Sequence, residues 1–298
     1  MGRKATTLDE QVAILRSRGM IITDTEKAKE VLFDVGYYRL GFYWFPFETT
    51  YPRKNHRNHE FKPGADFNNV VKLYYFDFYL RNLLLRALSR IEIAFRTKVV
   101  YLVSNANIDS PAWFADENVV TPKQADYYKA GAYQAMKEKN AVLRLHHQHH
   151  PKDEFAPAWK VIEYMTMGEV LHLFKTILDE ELKKSVAREF GIKTVVTLEN
   201  YLEVIKNIRN VCAHSNVLYD FSPEKSIRKG PAMMKGIGDN QNLNGATRVI
   251  LYLLRQISEK RHDELLSDIN SLIEKYACHS DVSHIILNIS GFKDFNKP

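Results

Sequence analysis

The sequence predicts an all-α protein, on three observations. Apolar residues recur every three or four positions over residues 70–103, the repeat of a single helix face. Capping residues followed by acids, and glycines placed as stops, punctuate the N-terminal stretch in the manner of helix ends. Alternating apolar and polar runs of the strand type are scarce.

The elements follow in order. Thr7-Leu8-Asp9-Glu10 reads as a capping box, so a first helix runs from there to Arg18 with Gly19 as its stop. A second begins near Thr23 or Asp24 and ends at Gly36. The stretch from Gly36 to Phe47 is unusually aromatic. A packing surface that joins the N-terminal helices to the rest is the expectation there, with base stacking as the alternative. Residues 51–66 read as a polar loop or short hairpin turning at Pro63-Gly64. The long helix spans Val70 to Val103, its inner face set by Leu73, Phe76, Leu80, Leu84, Ala87, Leu88, Ile91, Phe95 and Leu102. Pro111 and Pro122 bracket a linker.

Another helix covers about 123–146 and runs into His146-His147-Gln148-His149-His150-Pro151. These histidines have no cysteine near them and end at a helix-breaking proline, so a solvated helix end is expected and no metal. Helices over 157–178, with Gly168 inside, and over 180–190 come next. A helix over 198–214 precedes a loop of Gly, Pro, Lys and Asn at 222–245, expected to be mobile. Helices over 246–258 and 261–277 close the body. The organisation is thus an N-terminal helical segment, 1–68, carrying the aromatic stretch and a basic loop, followed by a helical domain, 69–298.

Composition bounds the rest. The chain has 298 residues, 45% hydrophobic and 26% charged, as in an ordinary globular protein. No segment approaches the roughly 18–20 apolar residues of a membrane span, and residues 1–5 hold no apolar leader. A cytoplasmic protein without a membrane partner is expected. The two cysteines, Cys212 and Cys278, make no disulfide framework and fit a reduced compartment. The net charge of +6 is compatible with a polyanionic partner. It concentrates in the loop Arg53-Lys54-Asn55-His56-Arg57-Asn58-His59 and in Arg81, Arg86, Arg90, Arg96 and Lys98 of the long helix. A solvated, ion-paired face accounts for these as well as RNA does. On the RNA reading the contacts are Arg53, Lys54, Arg57, Arg81 and Arg86.

Arg209-Asn210-Val211-Cys212-Ala213-His214 is the most informative stretch. A histidine exchanges protons with a ribose hydroxyl near neutral pH. An arginine clamps a phosphate through two hydrogen bonds. The asparagine orients either one. These are the residue types that RNA cleavage without a metal requires. The same spacing at Arg144 and His149 lacks the adjacent asparagine and precedes a helix-breaking proline.

At 100° per residue, Leu198, Tyr201, Leu202, Ile205, Ile208 and Cys212 form an apolar stripe, and Asn207, Asn210 and His214 share the opposite side. Arg209 lies roughly 140° from His214 on an ideal helix, so their tips do not meet. Either the helix ends before His214, or the arginine wraps around, or a second copy completes the site in a homodimer. A purely structural role stays open: a histidine near a helix C-terminus complements the dipole, and Arg209 has Glu92 or Glu203 as ion-pair partners. Glu92 and Arg96, one turn apart on the long helix, are the expected supporting residues together with Asn207.

Several further segments stand out in chain order. They are Gly36-Tyr37-Tyr38-Arg39-Leu40 with Tyr43-Trp44, then Phe67 and Leu73-Tyr74-Tyr75-Phe76-Asp77 with Leu80-Arg81, and Ile91-Glu92 with Arg96. Pro157-Ala158-Trp159-Lys160 with Glu163 and Met167-Gly168-Glu169, the Arg209–Ser215 block, and Gly291-Phe292 complete the series. Together, over roughly residues 10–292, they resemble the Abi-like family of bacterial abortive-infection proteins (the AbiD and AbiF type). That family in turn resembles the HEPN superfamily of helical bundles, often dimeric and often metal-independent endoribonucleases. The resemblance implies a HEPN-like bundle with an additional N-terminal segment, Arg209 and His214 as catalytic residues, Asn210 as an orienting one, and a role in phage defence.

The expected activity is endonucleolytic RNA cleavage leaving a 2′,3′-cyclic phosphate and a 5′-hydroxyl, with no cofactor. The alternative is a non-catalytic RNA-binding or adaptor module of a defence or toxin–antitoxin system. In a further version, a small RNA or partner protein holds the activity in check.

Overall fold

A computed structural model of the chain describes residues 4–233, 238–278 and 280–295. Positions 1–3 of the N-terminal stretch and 234–237 of the 222–245 loop lie outside the described residues. The described residues form helices and no strand, with three isolated β-bridges at Ile21–Asp66, Glu48–Phe61 and Val120–Ile177. The fold is all-α.

Thr7 and Glu10 close the capping box that starts α1 (Leu8–Ser17), and Gly19 beyond it has a φ of +95°. Asp24 caps α2 (Thr25–Val35) through the Lys27 amide. The aromatic stretch is itself helical: α3 (Tyr37–Tyr43) buries Leu40 and Tyr43, and Trp44, Phe45 and Phe47 follow them into the core. Packing is therefore the main work of this segment, although Tyr38 and Phe42 stay outside.

The organising element is α4 (Phe67–Ala106), 40 residues long, started by the Asp66 side chain. Its inner face runs Val70, Leu73, Phe76, Leu80, Leu84, Leu88, Ile91, Phe95, Val99 and Val103. Past Phe95 the stripe advances by fours, so Val103 takes the buried place and Leu102 sits beside it, half-buried.

The Pro111–Pro122 segment is not a plain linker. Trp113 and Phe114 are fully buried there, and the indole N–H donates to the Ser104 hydroxyl at 3.0 Å. Burying a tryptophan and a phenylalanine outweighs the freedom that flanking prolines suggest.

The helix expected over 123–146 is broken into α5 (Pro122–Tyr127), a wide turn at 128–132, α6 (Tyr133–Lys139) and α7 (Ala141–His149). Gly131 takes a φ of +126° and Asn140 is extended, and neither conformation continues a helix. Likewise 157–178 divides into α8 (Ala158–Val161) and α9 (Met167–Thr176), because Thr166 and Glu169 form a second capping box that restarts the chain. Next come α10 (Glu180–Arg188), α11 (Val195–Ala213), α12 (Leu243–Arg255), α13 (Glu259–Ala277) and a short α14 (Ser280–His284).

The helices α4, α11, α12 and α13 pack on one another as the central bundle. α3, α8, α9 and α10 also lie against α4, and α1 and α2 attach through α3. One apolar core runs unbroken from Val12 to Phe295. The described part of the 222–245 loop is tied down: Ile227 is buried, and the Ala232 amide donates to the Tyr201 hydroxyl. Among the described residues no helix is long and apolar enough to cross a membrane.

Candidate functional site

α11 lays its apolar stripe on the bundle as the periodicity requires: Leu198, Tyr201, Leu202, Ile205, Ile208 and Cys212 are all buried. It stops at His214, which caps it and donates its own amide to the Asn210 carbonyl at 3.0 Å. The stop is a Schellman motif. The Asn216 amide donates to the Val211 carbonyl at 2.9 Å and the Ser215 amide to Cys212 at 3.2 Å. Ser215 takes the left-handed position with φ +54°, where glycine is usual.

The chain turns sharply away, so His214 and Asn210 are exposed on the last turn. The His214 ring makes no hydrogen bond within the chain among the described residues. Asn207, half-buried on the same side, lines a small polar cavity of about 180 Å³ with Asn200, Lys206 and Lys225.

Arg209 points to α4. Its Nε lies 3.4 Å from Glu92 Oε2 and its Nη1 3.4 Å from Asn210 Oδ1. Glu92 in turn accepts from Arg96 at 3.3 Å, and Arg96 is anchored by donating to the Met165 carbonyl at 2.8 Å. Glu92 and Arg96 are nearly buried, at 14% and 12% side-chain exposure, whereas Arg209 keeps 36%. A shielded carboxylate thus holds the inner edge of Arg209, and its Nη2 makes no hydrogen bond among the described residues. Glu203, the other ion-pair partner expected for Arg209 and itself on α11, is taken by Lys175 and Lys206. The helix does end before His214, yet no hydrogen bond joins the Arg209 and His214 side chains.

Behind the motif lies a buried polar knot that sequence reasoning missed. Asp77 and Arg81, four residues apart on α4, are 0% and 4% exposed. Asp77 Oδ2 accepts from Arg81 at 2.6 Å, from the Tyr43 hydroxyl at 2.8 Å and from the Leu218 amide at 2.8 Å. Arg81 also donates to the Asn216 carbonyl. The knot therefore ties α3, α4 and the segment after His214 together. Burial pushes the Asp77 carboxyl up to about 6, against the opposing pull of Arg81. Two signals pointed to it: the acid–base spacing of four, and the position of Asp77 beside Phe76 on the inward stripe.

The basic residues divide. Arg81 belongs to that knot, so it faces the interior and not a polyanion. Arg57 also turns inward: it forms a two-pronged pair with the fully buried Glu48, donates to the Gly41 carbonyl and stacks over Phe45. A buried carboxylate draws a nearby guanidinium out of the solvent. Arg53 is exposed, and Lys54 reaches Asp220 at 2.8 Å, beside the segment that follows the motif. Arg86 pairs with Asp268 on a different face, bordering a cleft of about 340 Å³ whose lining includes no motif residue.

The histidine run is not wholly solvated. His149 and His150 are exposed, but His146 is buried, 3.0 Å from Asp153 and 3.3 Å from Lys160. Desolvation, with Lys160 adding to it, lowers its pKa. Among the described residues no cluster of His, Cys, Asp or Glu has the makings of a metal site.

Residues 30–220, well over half of the chain, match the family model described as Abi-like protein. The chain belongs to the Abi-like family. The match contains the aromatic α3, the Asp77–Arg81 knot and the whole Arg209–His214 block of this Abi-like protein. No curated protein and no solved structure gives a match. Family membership suggests abortive-infection defence as the biological setting.

Proposed function

We propose that this Abi-like protein is a metal-independent endoribonuclease of HEPN type, acting in abortive infection. The observation that carries the reading is the exposed end of α11, where His214 stands unengaged on the same side as Asn210, while Arg209, turned toward α4, is held in place from behind by Glu92. His214 takes the proton of an RNA 2′-hydroxyl, and the freed oxygen attacks the adjacent phosphorus. The bond from phosphorus to the 5′-oxygen breaks, that oxygen gains a proton, and a 2′,3′-cyclic phosphate and a 5′-hydroxyl result. Arg209 offsets the charge that builds on the non-bridging oxygens. Asn210 orients the arginine through the 3.4 Å contact.

One histidine serves as base or as acid in a given step, and Arg209 faces α4 and not His214. A homodimer that faces two motifs across one cleft supplies the second histidine and brings an arginine opposite each.

The test is cleavage of a labelled structured RNA in EDTA by wild type and by His214→Ala. The rate is expected to fall by ~10²–10⁴-fold, the usual contribution of positioned proton transfer. Folding should be unaffected, within about 0.5 kcal/mol, because an exposed ring without intramolecular hydrogen bonds is removed. Equal cleavage by the two proteins would exclude His214. RNA binding without cleavage by either would favour the adaptor reading.

A further inference from the structure

The outer face of α3 presents two aromatic rings to solvent. Tyr38 is 82% exposed and Phe42 42%, one turn apart, with ring centroids 5.4 Å from each other in an edge-to-face pair. The opposite face of the same helix is locked, with Leu40 and Tyr43 fully buried. The rings are therefore held outward on a fixed support.

That support is fastened to the motif at several points. Arg39, between the two rings in sequence, donates through Nη1 to the Ser215 carbonyl at 2.6 Å, one residue beyond His214. The Tyr219 hydroxyl donates to the Phe42 carbonyl at 2.9 Å. Tyr43 shares the Asp77 carboxylate with the Leu218 amide. α3 is thus clamped along the 215–219 segment, and the rings keep a set position relative to the stretch that directly follows His214. Arg39 has no acidic partner among the described residues.

Two outward rings with an adjacent guanidinium that has no acidic partner are the elements with which proteins hold unpaired nucleotides, the ring taking the base face and the cation the backbone. A second copy of the chain is the poorer occupant. A twofold contact centred on these rings would set Arg39 against its own counterpart. We infer that Tyr38 and Phe42 form a stacking platform for an unpaired base of the RNA next to the scissile phosphate, with Arg39 beside its backbone. This rests on the nuclease reading for the identity of the strand, and on the geometry of α3 for its position.

The test uses full-length protein carrying His214→Ala, so that RNA survives, and a short single-stranded RNA containing 2-aminopurine. Stacking on the platform quenches that base. Adding Tyr38→Ala and Phe42→Ala should abolish the quenching and weaken binding by roughly 5- to 100-fold, the usual range for one stacked base. Trp at both positions should restore both signals, and circular dichroism should be unchanged throughout because the rings lie outside the core. Unaltered affinity and quenching in the double alanine protein would overturn the proposal. So would conversion of dimer to monomer with quenching per bound RNA retained, which would assign the rings to self-association. Wild type that fails to cleave yet binds RNA through these rings would sink the nuclease reading and leave the platform standing. Cleavage by wild type with ring-independent binding would do the reverse.

Discussion

Ser215 is the residue at which a small change should be felt both in stability and in chemistry. It occupies the left-handed cap of α11 with φ +54°, and both bonds of the Schellman motif depend on that conformation. A side chain there costs about 1 kcal/mol relative to glycine, because Cβ crowds the following carbonyl. Against this, glycine adds conformational freedom to the unfolded chain, which takes back about 0.4–1 kcal/mol. Ser215→Gly should therefore be neutral to stabilising, by at most about 1 kcal/mol. Ser215→Val should lose about 1–3 kcal/mol, because a β-branched residue at positive φ is strained. Arg39 meets the carbonyl of residue 215 and not its side chain, so that contact is common to the whole series. Urea denaturation followed by helix signal measures the order of stability, expected as Gly, Ser, Val. Cleavage should follow the same order, with Val losing more activity than its stability explains, because the cap sets where His214 points. A glycine protein less stable than wild type by more than about 1 kcal/mol, or a valine protein equal to it, would refute the reasoning.

Two other expectations concern titrating groups. Burial pushes the Cys212 thiol up to about 12 while Cys278 is exposed, so iodoacetamide near neutral pH should label Cys278 alone until the protein is denatured; labelling of native Cys212 would contradict its place on the apolar stripe. Asp77 has a folded value of about 6, above its ordinary 3.8, so between these values the native state binds the extra proton. Its contribution to stability is present below that window and is lost as pH rises through 6. Wild type should thus gain on Asp77→Asn as pH falls from 7 to 4, by something of order 1–3 kcal/mol in urea denaturation, and the opposite slope would show that Arg81 outweighs burial.

The parts of the fold legible in the sequence are those governed by one repeated rule. The spacing from Leu73 to Phe95 gave α4, and that from Leu198 to Cys212 gave the buried side of α11. Breaks were harder to read. A glycine within an apolar pattern is compatible with a continuing helix, and only the left-handed conformation of Gly131 shows that it is a turn. Thr166 and Glu169 did carry a start signal, but apolar continuity from Trp159 to Leu178 masks it. Prolines at 111 and 122 suggest a linker, where the adjoining Trp113 and Phe114 in fact anchor the segment. At the site, the pairing of Arg209 with Glu92 was one of two that residue types allowed, and Glu203 was removed from the choice by two lysines. Charge alone could not tell that Arg57 and Arg81 face inward, because that depends on Glu48 and Asp77 being buried first.

The continuity of α4 has a consequence for which changes of length the chain can absorb. One unbroken helix carries both Asp77, which holds the segment after His214, and Glu92, which holds Arg209. The two stand about 22 Å apart along the axis at 1.5 Å per residue. Inserting a single residue between Arg81 and Glu92 would swing one support by about 100° relative to the other, and no side-chain adjustment restores both. The segment from Asn107 to Pro157 is interrupted by turns at several points and has no such coupling to the motif. Variation in chain length among functional relatives should therefore gather there and spare the stretch from Asp77 to Arg96.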